Sequence, residues 1–303
     1  LDYIKRELER KFLTMNQAFK AVMVTGARQV GKSTMLKKLA ENEERTYVNL
    51  DNTRDRELAK SDPGLFFQVY KPPILIDEVQ KAPELFEHIK ILCDESDRMG
   101  LFWLTGSESK KLLKGAQDSL AGRICILKMY SLSQREKVGK SDLGEMEFSY
   151  NSLLQRSSEF AENDLPEVYK HIWEGGMPGT VGMTGEQRME YYESYIETYL
   201  MRDAVDDNGI SDTEGFRKVL RASASFTGNL VNYSDIAQAG NVSVPTAKEW
   251  IKILQSMGII YLLEAFSNNE LKRMVKTPKL YFCDTGLCAY LSMWTSMERY
   301  AHR

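Results

Sequence analysis

Residues 26–34 read Gly26-Ala27-Arg28-Gln29-Val30-Gly31-Lys32-Ser33-Thr34, and directly before them stands the apolar run Ala21-Val22-Met23-Val24-Thr25. This is the spacing G-x-x-x-x-G-K-[ST] at the point where a buried strand hands over to a helix. Glycines at 26 and 31 let the backbone turn tightly and aim successive N–H groups at a polyphosphate. Lys32 supplies a compact cation for the β and γ phosphates, and Ser33 a hydroxyl for a divalent cation. The helix expected over 33–41 turns its positive end toward the same anion. Gly26 to Thr34 are therefore the candidate nucleotide-binding residues, and the cofactors expected are ATP and Mg2+.

A second element fits the same chemistry. After Pro72-Pro73, the run Ile74-Leu75-Ile76 ends in Asp77-Glu78. At the end of a strand beside the loop, Asp77 would join Ser33 in holding the metal, and Glu78 would polarise the attacking water. Without the lysine loop, the same residues read as a strand leaving to solvent through two acids. A third run, 101–105, ends in Gly106-Ser107, and Thr105 or Ser107 either faces the γ phosphate or simply forms a turn. Arg123 precedes a fourth run, 124–127. It is a candidate for neutralising transition-state charge, in cis or across a subunit boundary, with a surface ion pair as the alternative.

The steps Gly26–Ser33, Tyr47–Asp51, Ile74–Gln80, Leu104–Ser107 and Ser119–Arg123 occur in the order found in a prokaryotic family of AAA-type ATPases, and the chain resembles that family. The likeness continues through Gly175–Pro178, Tyr195–Asp203 and Phe282–Leu287, so it spans nearly the whole sequence. It implies an ATPase core, a helical lid and a C-terminal winged-helix domain of unknown function. Family members commonly continue into an endonuclease-like fold, and a sequence ending at Arg303 would lack that part.

These motifs need a scaffold. Strands expected near 21–25, 46–50, 73–77, 101–105 and 124–128 alternate with helical stretches near 33–41, 55–60 and 83–97, after an amphipathic helix over 1–20. Such alternation predicts an α/β fold, a parallel sheet with helices on both faces and ligands at the C-terminal strand ends. The expected domains are 1–135 (core), 136–205 (helical lid, broken at Gly175–Gly179) and 206–303 (winged helix). Arg202 in the lid either reaches back to the nucleotide or pairs with Asp203 or Glu197. In the last domain a short helix capped by Ser234 and closed by Gly240, then a helix over 244–257, make a helix-turn-helix. Strands 259–263 and 279–282 follow as a wing.

Lys248 and Lys252 on the second helix, with Lys272, Arg273 and Lys276 on the wing, are candidate contacts to double-stranded DNA. With Lys279, the wing offers about four phosphate contacts and a salt slope near −3.6. The basic stripe is thin for a dedicated reader, so a winged helix used for protein contacts stands beside this reading. Basic residues number 23 against 19 acidic over 1–135, 6 against 14 over 136–205, and 11 against 10 over 206–303. The acidic middle would repel a nucleic-acid backbone, whereas the two ends would not.

No apolar run approaches the roughly 20 residues that span a bilayer, so no membrane partner is expected. The charged start, Leu1 to Glu7, reads as a helix rather than a signal peptide, and a first residue other than Met suggests trimming. Four scattered cysteines and three histidines argue against a zinc site and for reduced, buried thiols in a cytoplasmic protein. A homo-oligomer is required only if Arg123 acts across subunits. The overall expectation is an ATPase whose nucleotide state positions the winged helix. A nucleotide-gated binding switch with negligible turnover is the rival, and a P-loop kinase is disfavoured by the Asp77-Glu78 pair.

Overall fold

The structure is a computed structural model, and it describes residues 2–107, 110–143, 147–158, 164–206, 208–266 and 276–294. They form two compact units. One comprises 8–131 with 248–261; the other comprises 1–7, 132–247 and 262–303.

The first unit is built on strands β1 (Ala21–Gly26), β2 (Thr46–Asn49), β3 (Ile74–Asp77), β4 (Phe102–Ser107) and β5 (Ile124–Lys128). All pairings are parallel, in the order β2-β3-β4-β1-β5. Parallel strands demand cover on both faces, and the side-chain alternation of β4 shows how it is met. Phe102 and Leu104 point to one face, into a core with Phe66, Phe67, Leu85, Phe86 and Ile89. Those residues come from helices Pro63–Val69 and Leu85–Asp94. Trp103 points to the other face and meets Phe12 of helix Leu8–Asn16 edge-on, with ring centroids 4.9 Å apart. The leading helix is thus shorter than the 1–20 expected. The helix expected over 83–97 starts at Leu85, two residues after Pro83, because the chain first makes a turn there.

In the second unit, Arg6 and Glu136 form a buried ion pair at 3.0 Å, and the same carboxylate closes a capping box with Ser133. Replacing Glu136 by alanine would take a buried carboxylate from the Arg6 guanidinium and open the capping box. The expected cost is about 3–5 kcal/mol, read as a fall in Tm by calorimetry; an unchanged Tm would refute it. Asp284, also buried, accepts from the Gly176 N–H at 2.7 Å and the Tyr192 hydroxyl at 2.7 Å. It therefore ties the Gly175-Gly176 turn to helix Thr285–Leu291, which it caps through the Leu287 N–H at 2.8 Å.

Helices Tyr233–Gly240 and Val244–Ser256 flank a tight turn, and β6 (Ile260–Leu263) pairs with β7 (Lys279–Phe282). The first helix is capped by Asn232, whose side-chain Oδ1 accepts from the Ser234 and Asp235 N–H groups, and not by Ser234. It is closed by left-handed Asn241 (φ 54°) rather than by Gly240. Asparagine tolerates both roles, through a short acceptor at an N-cap and an accessible left-handed conformation at a C-cap. None of the four cysteines forms a disulfide; Cys93 is buried, and Cys125, Cys283 and Cys288 are partly exposed. No described helix is long and apolar enough to cross a membrane.

Candidate nucleotide site at the strand ends

The parallel register brings the candidate residues to one edge of the sheet. Gly26, the last residue of β1, stands beside Ser107, the last of β4, while Asp77 ends β3 beside Asn49 of β2. From Gly26 the loop runs through three positive-φ residues, Gly26 (145°), Gln29 (61°) and Gly31 (99°), into helix α1, Lys32–Ala40. Left-handed positions in so short a loop curl it so that amides point into its concavity. At Gly26 the glycine is obligatory: a Cβ there would lie 2.1 Å from the Met129 carbonyl oxygen. The first turn of α1 holds no acidic residue, so its positive end is not neutralised from within.

Lys32 is buried, and its ammonium donates to the carbonyls of Gly26 at 3.0 Å and Ala27 at 2.8 Å. The loop thus wraps around its own lysine. Ser33 Oγ donates to Asp77 Oδ1 at 2.6 Å, joining the loop to β3. Asp77 is buried, and Oδ1 also accepts from the Thr105 hydroxyl, while Oδ2 accepts from the Tyr47 hydroxyl at 3.1 Å. Burial, reinforced by the Asp77 charge, pushes the Tyr47 pKa above the ordinary phenol value, so this group remains a donor. Thr105 therefore serves Asp77, and its oxygen also accepts the Glu78 N–H at 3.0 Å.

Glu78 sits in the left-handed region (φ 61°, ψ 45°), a costly place for a side chain that strands reach only when their surroundings over-determine it. Its carboxylate Oε2 accepts from Gln80 Nε2. Gln80 fits there because residue 106 is glycine: a Cβ would lie 3.0 Å from Gln80 Oε1 and 2.4 Å from Leu112. Gln80 Oε1 and Ser107 Oγ are buried with no hydrogen-bond partner among the described residues. Beside them Lys81 pairs with Asp51. Partial burial raises the pKa of Asp51, but the hydrogen bond and charge of Lys81 outweigh it and hold the carboxyl below its usual range.

Arg123 is elsewhere. It precedes β5, and the Ala21 N–H donates to its carbonyl, which puts it at the N-terminal edge of the sheet. Five residues of β1 separate that edge from Gly26, roughly 16 Å at the rise of a parallel strand. Its guanidinium grips Asp94 at 2.5 and 2.9 Å, and this hydrogen-bonded pairing raises its pKa. The expectation of an in-cis role at the phosphates is corrected: the sheet's polarity keeps Arg123 from its own chain's loop. Arg123→Ala should leave the dissociation constant for ATP unchanged by calorimetry, and a clear weakening would contradict this placement.

In the second unit, the guanidinium of Arg202 lies 5.8 Å from the Tyr199 ring centre, and Glu197 is bound by Arg217 rather than by Arg202. Lys248 and Lys252 are exposed on helix Val244–Ser256, and Lys276 is exposed; Lys272 and Arg273 lie outside the described residues. Sequence reasoning missed two participants, Tyr47 and Gln80. Both stand inside the quoted motifs, but nothing in their type or spacing assigns them a role.

Comparison with known proteins agrees with this geometry. Residues 18–138 match the family described as AAA domain, and residues 165–298 match a domain of unknown function (DUF8612). Uncharacterised proteins of Mycobacterium bovis (Mb2031c) and Mycobacterium tuberculosis (Rv2008c) are each 26% identical over 268 residues, 88% of this chain and 54% of theirs. The chain thus spans about half the length of the curated relatives it matches. Among solved structures, the Walker-type ATPase PABY2304 of Pyrococcus abyssi aligns over 96% of both chains with a TM-score of 0.53 at 16% identity, a likeness of fold. The RuvB Holliday junction branch migration motor of Thermotoga maritima aligns over 85% of this chain and 89% of its own, with a TM-score of 0.39 at 16% identity. The lysine loop and the Asp77-Glu78 strand end both fall inside the first match, so residues 18–138 form a domain of the AAA family, and a domain of unknown function follows over 165–298.

Proposed function

We propose that this chain binds and hydrolyses ATP in a Mg2+-dependent way, at the site between its glycine loop and the end of β3. The observation that carries this reading is the Ser33–Asp77 hydrogen bond, made one residue from Lys32 and one residue from Glu78. The loop amides and Lys32 would bind the β and γ phosphates. In doing so the ammonium exchanges the carbonyls of Gly26 and Ala27 for phosphate oxygens. Ser33 and Asp77 offer hard oxygen donors of the kind Mg2+ takes, usually one or two carboxylates together with phosphates and water, so they fit this cation. When bound, Mg2+ neutralises charge on the phosphate oxygens.

Hydrolysis would proceed in line. Glu78 orients a water and accepts its proton as the new oxygen–phosphorus bond forms and the bond to the β-phosphate oxygen breaks, leaving ADP and phosphate. Thr105 fixes the Glu78 backbone and Gln80 holds its carboxylate. The buried hydroxyl of Ser107 at the neighbouring strand end, which has no partner among the described residues, would hydrogen-bond the water or the γ phosphate.

The output would be the C-terminal region. Helices Tyr233–Gly240 and Val244–Ser256 with strands β6 and β7 have the element order of a winged helix, whose position the nucleotide would set. Exposed Lys248 and Lys252, one helical turn apart, support a weak contact to duplex DNA phosphates rather than base reading. Purified protein releasing phosphate from ATP steadily, and losing that release without Mg2+, is the expected result. ATP bound tightly with no release would leave only the nucleotide-gated switch. A rate per chain that rises with protein concentration would show a site completed by a second copy.

A further inference from the structure

We propose that Tyr47 is a positioning residue for the metal-holding carboxylate, setting the plane of Asp77 and through it the affinity for Mg2+; this rests on the ATPase reading of the same site. A carboxylate turns easily about the bond that joins it to Cβ, because that torsion has broad wells. The two oxygens turn together, so each donor that holds either of them narrows the swing of the whole group. Ser33 and Thr105 both serve Oδ1. Oδ2 is held by Tyr47, the one described residue with a hydrogen bond to that oxygen. Removing it would leave Oδ2 without that donor and widen the swing of the group beside the metal position.

The placement of Tyr47 is specific. It stands on β2, an edge strand, opposite Leu75 and two residues before the Asn49–Asp77 pair. From there only a long side chain reaches the end of β3. The ring is 40% exposed, yet its hydroxyl turns inward to a carboxylate that is 4% exposed. Across the ring lies the ammonium of Lys37, 4.3 Å from the centroid. Lys37 belongs to α1, one turn after Ser33, so Tyr47 links the helix that carries the serine to the strand that carries the aspartate. A tyrosine that merely covers a sheet edge would need neither contact.

Tyr47→Phe keeps the ring and its lysine contact and removes only the donor to Oδ2. Partners that orient a metal ligand typically account for 10- to 100-fold in metal affinity. The measurement is ATP binding followed by calorimetry, first in EDTA and then as a function of added Mg2+. The expected result is an unchanged affinity in EDTA and a Mg2+ midpoint shifted upward about 10- to 100-fold, with melting like the wild type. A wild-type response to Mg2+ with an unshifted or lowered midpoint in Tyr47→Phe would overturn the role of Tyr47 alone. A weakened affinity already in EDTA would do so too, since it would mark a general disturbance of the loop. A wild type that binds ATP with no response to Mg2+ would remove the metal site itself, and this role with it.

Discussion

Lys32→Ala is expected to abolish measurable ATP binding. The lysine is buried at the mouth of helix α1, where its ammonium is held by two loop carbonyls at 2.8 and 3.0 Å. Those bonds keep the side chain in place beside the phosphate position. Charge-assisted hydrogen bonds contribute about 1.5–3 kcal/mol each, so losing contacts to two phosphates weakens binding by about 10²- to 10⁴-fold. The alanine variant also leaves the Gly26 and Ala27 carbonyls without their donor, which disturbs the loop from within. Calorimetric titration with ATP checks this, and binding within a few-fold of the wild type would contradict it.

Glu78→Gln is expected to separate binding from turnover. The substitution keeps size and hydrogen-bonding reach, and the left-handed backbone, fixed by the bond from its N–H to Thr105, does not depend on the charge. What disappears is a group able to accept a proton from water. General base catalysis typically contributes 10²- to 10⁴-fold, so phosphate release should fall by about that factor while ATP affinity stays near the wild-type value. Near-normal turnover would remove Glu78 from its role. A joint loss of binding and turnover would mean that its charge helps to hold the nucleotide.

Much of this site was legible in the sequence because its parts obey strong local rules. The loop needs glycine where a Cβ would strike Met129, and a lysine and a hydroxyl at the opening of a helix; that constraint writes itself as a fixed spacing. Strands β1, β3 and β4 were equally plain, since parallel strands covered on both faces read as continuous apolar runs, whereas in β2 only Val48 is buried. Arg123 shows what spacing cannot convey. Its position just before an apolar run was correct, but a strand has two ends, and only the parallel register with β1 decides which end faces the phosphates.

Tyr47 and Gln80 were hidden for a related reason. Each acts across a gap that folding creates, Tyr47 from the edge strand to Asp77 and Gln80 back over a turn to Glu78. The caps of helix Tyr233–Gly240 were misplaced by small amounts, because serine and asparagine, or glycine and asparagine, compete for the same terminal positions. Such errors move an element's end by a residue or two and leave the element itself intact.

The most direct test is a single turnover: ATP mixed with excess protein and Mg2+, with samples quenched over time and bound nucleotide separated as ATP or ADP. The predicted result is first-order conversion to ADP that is absent in Lys32→Ala and slowed in Glu78→Gln. Bound ATP recovered intact from the wild-type protein, however long the incubation, would contradict hydrolysis at this site.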